Sequence, residues 1–304
     1  MSRPPANPTS GVLLVDKPQG ITSHDAVART RRIIGTRKVG HAGTLDPMAT
    51  GLLVLGVNNS TRLLTWVVGL DKEYTATIRL GANSNTDDAD GELGERADAA
   101  ALAAVTDAAI AAGVAALTGP ILQRPSSVSA IKVDGKRAYT LVREGEEVVL
   151  AERPVTISAF DVLETRRDEW LDLDVRVECS TGTYIRALAR DLGAALGTGG
   201  HLTALRRTRI GPFTVAGASG IDDGLAGRLL TPSDVASRLF DRVDLTADEA
   251  MDLAHGKQIA ITVPGGPLAA IAPDDRLIGL VENVDGRARV LVNFPPDTPD
   301  TVDT

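Results

Sequence analysis

Gly40-His41-Ala42-Gly43-Thr44-Leu45-Asp46-Pro47-Met48-Ala49-Thr50-Gly51 is the stretch on which the reading of this chain turns. It sets one carboxylate, Asp46, between a Gly-Thr-Leu turn and a proline, with the apolar run Leu52-Leu53-Val54-Leu55 directly after it. Gly, Thr and Pro packed around a lone acid make a rigid, exposed loop, where scaffolds usually present catalytic groups. An Asp before Pro also commonly does no more than cap a turn. The loop alone leaves both roles open.

Upstream, residues 11–18 read as a short buried strand stopped by Pro18, and Ser23 as the N-cap of a helix carrying Ala26, Val27, Thr30, Ile33 and Ile34. Downstream, residues 73–80 and 171–179 alternate with the period of half-buried strands. Residues 97–117 predict one Ala-rich helix with Leu102, Val105, Ile110, Val114 and Leu117 as its apolar stripe. Gly182 turns the second strand into a helix with Ile185, Leu188 and Leu192 on one side. Strands and helices mixed without a regular βαβ repeat predict an α+β catalytic domain over 11–240. After it, Thr246 and Glu249 form a capping box, and apolar runs at 259–263, 268–272, 277–281 and 290–292 predict a small β-rich module over 243–294. Residues 1–10 and 295–304 read as disordered tails.

The chain has 304 residues, 43% hydrophobic and 24% charged, ordinary for a globular protein of about two domains. A single cysteine, Cys179, excludes an intrachain disulfide. Neither a signal peptide nor a membrane span is legible, so a cytoplasmic location is expected. Four scattered histidines and one cysteine give no zinc spacing. Thr86-Asp87-Asp88-Ala89-Asp90-Gly91 imitates a calcium loop, but its first position is Thr and its twelfth is Ala97, so it reads as a turn. Neither metal nor cofactor is expected.

Net charge is −8, with a pI of about 5.1, which by itself argues against nucleic acid. The distribution says otherwise. Arg29, Arg31, Arg32, Arg37 and Lys38 cluster without an acid among them and run into the Asp46 loop; Lys132, Lys136, Arg137 and Arg143 form a second group, and Arg206, Arg207 and Arg209 a third. Because charge is screened beyond roughly 10 Å, a basic face on an acidic protein still binds phosphate.

The Gly40–Gly51 stretch resembles the catalytic loop of the TruB family of tRNA pseudouridine synthases, G-H-x-G-x-L-D-P-x-A-T-G. Asp16-Lys17-Pro18-Gln19-Gly20-Ile21-Thr22-Ser23 is similar to that family's opening block. So are Asp71-Lys72-Glu73-Tyr74, Ser129-Ala130-Ile131-Lys132-Val133-Asp134-Gly135, Cys179-Ser180-Thr181-Gly182-Thr183-Tyr184-Ile185-Arg186, and His201 to Arg207 to later blocks of the same family. These separated blocks together span most of the first 210 residues. Val128 departs from the pattern, standing where many relatives carry an aromatic residue.

The resemblance implies a stand-alone bacterial enzyme that isomerises the T-loop uridine at tRNA position 55, with Asp46 as the essential carboxylate and no cofactor. Cleavage of N1–C1′, rotation of the uracil and closure of C5–C1′ need no redox group, metal or energy donor. Asp46 would attack C1′ or C6, or remove the C2′ proton. By the same resemblance Arg186 keeps Asp46 ionised, since a nearby cation favours the carboxylate. Tyr74 stacks on the base and assists removal of the C5 proton. His41, Tyr184, Leu205, Lys17 and Lys132 line or position the substrate site, although Leu205 reads equally as core and Lys17 equally as a solvated lysine. The implied partner is tRNA, gripped at T-arm and elbow and, through a PUA-like C-terminal module, along the acceptor stem, by a monomer without guide RNA. Three readings compete: a guide-RNA-dependent pseudouridylase, an RNA chaperone, and a hydrolase pairing Asp46 with Asp87 or Asp88.

Overall fold

A computed structural model of the chain describes residues 9–126, 150–222 and 224–297, with the backbone alone of 132–133 and 136–137. In chain order its elements begin β1 (Gly11–Lys17), α1 (Ser23–Ile34), β2 (Val39–His41), β3 (Thr50–Val57), α2 (Leu64–Gly69) and β4 (Lys72–Leu80). Then come α3 (Ala99–Ala104), α4 (Asp107–Ala116), β5 (Gly119–Gln123), the short pair β6 (Lys132–Val133) and β7 (Lys136–Arg137), β8 (Arg153–Arg167) and β9 (Leu171–Cys179). α5 (Ile185–Ala195), β10 (Gly200–Ile210), β11 (Phe213–Thr214), β12 (Ser219–Gly220) and α6 (Pro232–Leu239) follow. The C-terminal elements are β13 (Arg242–Asp244), α7 (Ala247–Ala254), β14 (Leu268–Ile271), β15 (Leu277–Val284) and β16 (Arg287–Asn293). This mixture of sheets and helices is the α+β class expected.

The elements pack as two compact units, the first drawn from Met1–Pro47, Gly51–Val68 and Pro212–Thr304. In it β1 runs antiparallel to β3, from Gly11 opposite Val57 to Lys17 opposite Gly51, and β12 joins β1 in parallel. Both central strands are buried on both faces, which is why they read as unbroken apolar runs. Leu13, Val15, Leu53, Leu55 and Val57 pack against Ala26, Val27 and Ile34 of α1. Thr22, not Ser23, caps this helix: its Oγ1 accepts the Asp25 N–H and the Asp25 carboxylate accepts the Thr22 N–H, a closed capping box. Ile33, expected in the stripe, is 39% exposed.

The second sheet of this unit has the order β13-β14-β15-β16. Leu253 of α7 packs with Ile259, Leu268, Ile278 and Val281 beneath it. Residues 259–263, expected as a strand, make only an isolated bridge between Ala260 and Arg287. The apolar run there reports burial of Ile259 and Ile261, not extended pairing. Arg242–Asp244, with one half-buried residue, carries no strand signal in its sequence. A turn of 3₁₀ helix at Asn58–Leu63 gathers both ends of the described chain. Asn58 Nδ2 donates to the Thr9 carbonyl at 3.1 Å and Asn59 Nδ2 to that of Pro295 at 3.1 Å. Ser10 N–H donates to the Asp297 carboxylate at 2.6 Å. Of the two expected tails, 1–8 and 298–304 lie outside the described residues.

The second unit, Met48–Thr50 and Gly69–Gly211, is built on the antiparallel order β10-β4-β9-β8-β5. β4 and β9 alternate without a break. One face of β4 buries Lys72, Tyr74, Ala76, Ile78 and Leu80. The other carries a ladder of charge: Arg79 grips Asp172 through two bonds of 2.8 and 2.7 Å, Thr77 donates to Asp174, and Arg176 holds Glu73 at 2.7 Å. The Thr208 hydroxyl and Arg176 together hold the Glu73 carboxyl below its usual range. α5 lies so close to β10 that a Cβ on Gly193 would stand 2.2 Å from the Gly200 nitrogen, so only glycine fits.

The single helix expected over 97–117 is two. Val105 leaves helical geometry at ψ 106, and the Thr106 hydroxyl then accepts the Ala109 N–H to start α4 afresh. The third basic group is divided by strand alternation and a bulge, with Arg207 opposite Tyr74 on the buried face and Arg209, past a register shift, opposite Glu73. Arg207 is buried, 1% exposed, and Arg209 is held by Asp71 at 2.6 Å, so neither forms a solvent face.

Candidate active site

The Asp46 loop is fixed from beneath. Ala42, Leu45, Met48 and Ala49 are buried, while Thr44 and Pro47 face out and His41 and Asp46 are half-buried. Gly43 and Gly51, at φ 96 and 99, supply left-handed turns on either side that a side chain would strain. Ser23, freed from capping, reaches into the loop. Its Oγ accepts the Leu45 N–H at 2.8 Å and donates to the Leu45 carbonyl at 3.1 Å. On the other side of Asp46, the Pro47 carbonyl accepts the Gly20 N–H at 2.8 Å. Lys17 is wholly buried, and its Nζ donates to the carbonyls of Ile21 at 2.8 Å, Pro18 at 3.0 Å and Pro47 at 3.5 Å. It is no solvated lysine. Asp46 is thus bracketed by anchored neighbours, and Pro47 biases its backbone toward extended geometry. His41 meets the His24 ring edge-on, centroids 5.6 Å apart.

In the second unit Tyr74 sits on the buried face of β4, opposite Arg207 of β10 and Val177 of β9; Leu205, opposite Ala76, is 8% exposed. Burial and the nearby Arg207 push the Lys72 ammonium down to about 8. Arg186, in the first turn of α5, is 4% exposed. Its guanidinium donates to the Thr86 carbonyl at 2.6 Å and pairs with Asp88 at 3.3 Å. Asp87 receives Arg190 at 3.2 Å. Both acids of the calcium-like turn are therefore engaged by arginines four residues apart on one helix. Tyr184 occupies the N-cap of the same helix. Arg206 Nη1 donates to Thr50 Oγ1, four residues past Asp46, at 3.4 Å. The Lys132 side chain and Val128 lie outside the described residues.

Asp88, read in the sequence only as part of a calcium-like turn and as a candidate hydrolase acid, and Gln123, which stands in none of the family blocks, both prove to be partners of this helix, a role the sequence does not announce. Among the described residues no group of three His, Cys, Asp or Glu side chains is placed to hold a metal ion, and no helix is long and apolar enough to cross a membrane.

Residues 31–185 match the TruB family pseudouridylate synthase N-terminal domain, and residues 186–232 the tRNA pseudouridylate synthase B C-terminal domain. The chain belongs to the TruB family. Residues 240–295 match a further TruB element, the C-terminal part of tRNA pseudouridine synthase II. The tRNA pseudouridine synthase B of Leifsonia xyli subsp. xyli is 61% identical over 95% of this chain and 97% of its own. That of Thermobifida fusca is 51% identical over 93% and 98%. A solved H/ACA RNP bound to a substrate RNA containing 2′-deoxyuridine shares the fold at a TM-score of 0.69, with 24% identity over 94% of this chain and 86% of that one.

Proposed function

We propose that this TruB enzyme isomerises the uridine at position 55 in the T-loop of tRNA, acting alone and without cofactor, with Asp46 as the essential carboxylate. As a TruB member it is a pseudouridine synthase, an isomerase, and relatives covering nearly its whole length are named for tRNA. The observation that carries Asp46 is the anchoring of Leu45 and Pro47 on either side of it. A carboxylate whose neighbours are held this way needs little reorganisation when charge develops at the sugar. Arg186 is the cation assigned to keep Asp46 ionised, Tyr74 the group that stacks on the base, and His41, Tyr184, Leu205 and Lys132 the remaining substrate contacts. Lys17 acts from below by holding Pro47. The enzyme works in the cytoplasm as a monomer, and residues 243–294 form a PUA-like module that grips tRNA beyond the T-arm.

The test is incubation of purified protein with one tRNA transcript, without guide RNA or cofactor, followed by mapping of pseudouridine by position. Conversion at position 55 alone is expected, lost in Asp46→Asn while tRNA binding stays within several-fold, because phosphate contacts and stacking supply most of the binding energy. Conversion elsewhere would overturn the assigned position; full turnover by Asp46→Asn would overturn the carboxylate.

A further inference from the structure

Gln123 closes β5 and is 2% exposed. Its carboxamide crosses to a residue 61 positions along the chain: Oε1 accepts the Tyr184 N–H at 2.9 Å, and Nε2 donates to the Tyr184 carbonyl at 3.1 Å. Tyr184 is the N-cap of α5 and makes no side-chain cap of its own. The Tyr184 N–H, one of the donors left without an intrahelical partner at a helix start, is held by a distant side chain, and the Tyr184 carbonyl takes the carboxamide beside its helical bond from the Leu188 N–H at 3.3 Å. The next residue strengthens the grip. The Arg124 carbonyl accepts Arg190 Nη2 at 2.7 Å, while Arg190 also pairs with Asp87. Residues 123 and 124 thus hold α5 at two points, and Arg186 lies between them.

We propose that Gln123 is a positioning residue for Arg186, setting where α5 begins and so where the guanidinium is delivered. The inference rests on the reading that Arg186 acts with Asp46. A carboxamide presents one acceptor beside one donor, complementary to the N–H and C=O of a single residue. A methionine of similar length offers no donor, and an ionised glutamate sets oxygen against the Tyr184 carbonyl. Loss of the grip lets the helix entrance shift, and displacements of order 1 Å far from the chemistry cost about a hundredfold in rate.

The experiment compares Gln123→Met and Gln123→Glu in the full chain, measuring melting temperature, KM for tRNA and the single-turnover rate at saturation from pH 5.5 to 8.5. Gln123→Met is expected to lower the saturating rate between tenfold and a hundredfold with KM within threefold of wild type. Gln123→Glu behaves like it at pH 8.5. Its rate relative to wild type then rises at least fivefold toward pH 5.5, because protonation restores the donor and burial lifts a carboxyl's titration into this range. The charged groups around this helix entrance are Arg186 with Asp88, Arg190 with Asp87 and Asp191, and, on the neighbouring residue, Arg124 with Glu152. Asp191 is itself raised by burial. All of these are common to both proteins and cancel in the ratio.

A flat ratio, or a Gln123→Met rate within twofold of wild type, would overturn the inference. So would a loss that disappears on cooling below the variant's melting transition. Should Gln123→Met fail to fold, the pH ratio of Gln123→Glu decides alone. Arg186→Ala separates the two levels. Full turnover in it sinks the role of Arg186, whereas an inactive Arg186→Ala beside unaffected Gln123 variants sinks only the positioning role.

Discussion

The hydroxyl of Ser23 satisfies both backbone groups of Leu45, accepting its N–H at 2.8 Å and donating to its carbonyl at 3.1 Å. Leu45 is 3% exposed, so water cannot replace the hydroxyl. Ser23→Ala strands a buried donor and acceptor at roughly 1–3 kcal/mol each. A lower melting temperature is expected, together with a fall in single-turnover rate larger than the change in KM, because the residue next to Asp46 is no longer anchored. An unchanged rate at saturation would show that the loop holds Asp46 without Ser23.

Arg186 and Asp88 are each about 5% exposed at the side chain. Removing one member of such a pair leaves the other charged and buried, which costs about 3–5 kcal/mol. Asp88→Ala is therefore expected to be strongly destabilised and slow. Asp88→Asn, which keeps the shape and one hydrogen-bond acceptor but not the charge, should recover part of the stability and little of the rate. Equal recovery of both would make the pair purely structural.

Of the first basic group, Arg31 donates to the Val39 carbonyl at 3.0 Å and Arg29 lies 3.7 Å from Asp222. Arg32, Arg37 and Lys38 are exposed. Replacing these three by Ala should weaken binding to every RNA and reduce the log–log salt slope by up to about 2.7, at roughly 0.7–0.9 for each phosphate no longer neutralised. A slope equal to wild type would place the RNA on another face.

Lys72 is lowered from 10.5 to about 8, by burial first and Arg207 second. Below pH 8 folded and unfolded chains both hold the proton. Between about 8 and 10.5 the unfolded chain keeps a proton that the folded one has released, so stability rises with pH there. Its register partner Cys179, raised by burial from 9.0 to about 11, acts oppositely, lowering stability between those values. From pH 7.5 to 9 Lys72 acts almost alone. The stability of wild type relative to Lys72→Met should rise by about 1 kcal/mol over that interval in denaturant titrations. A constant difference would mean that Lys72 titrates normally.

What is legible in the sequence is what is local. The Asp46 loop can be read because Gly, Thr and Pro dictate turn geometry within a dozen residues, and 171–179 because burial follows strict alternation. Ser23 reads as a cap because two adjacent hydroxyl residues can each serve; which one does so depends on Leu45, 22 positions away. Asp88 and Gln123 find their partners across the fold, and no short-range pattern announces them. The break at Val105 and the missing strand at 259–263 share another cause. Apolar content predicts that a residue is buried, but the backbone geometry that buries it is settled by caps and sheet partners.

The Asn58–Leu63 turn that gathers Thr9, Ser10, Pro295 and Asp297 makes the path of the first unit nearly a closed ring. Chain order there is close to arbitrary: a short linker between residues 10 and 297 would join what already touches, and new termini could open at the exposed Asp285–Gly286 turn. A circular permutant so made keeps every strand pairing of both sheets in this unit except the tip of the β15–β16 hairpin. For evolution and for engineering alike, the C-terminal sheet is then as much a neighbour of Thr9 and Ser10 as of Asp297.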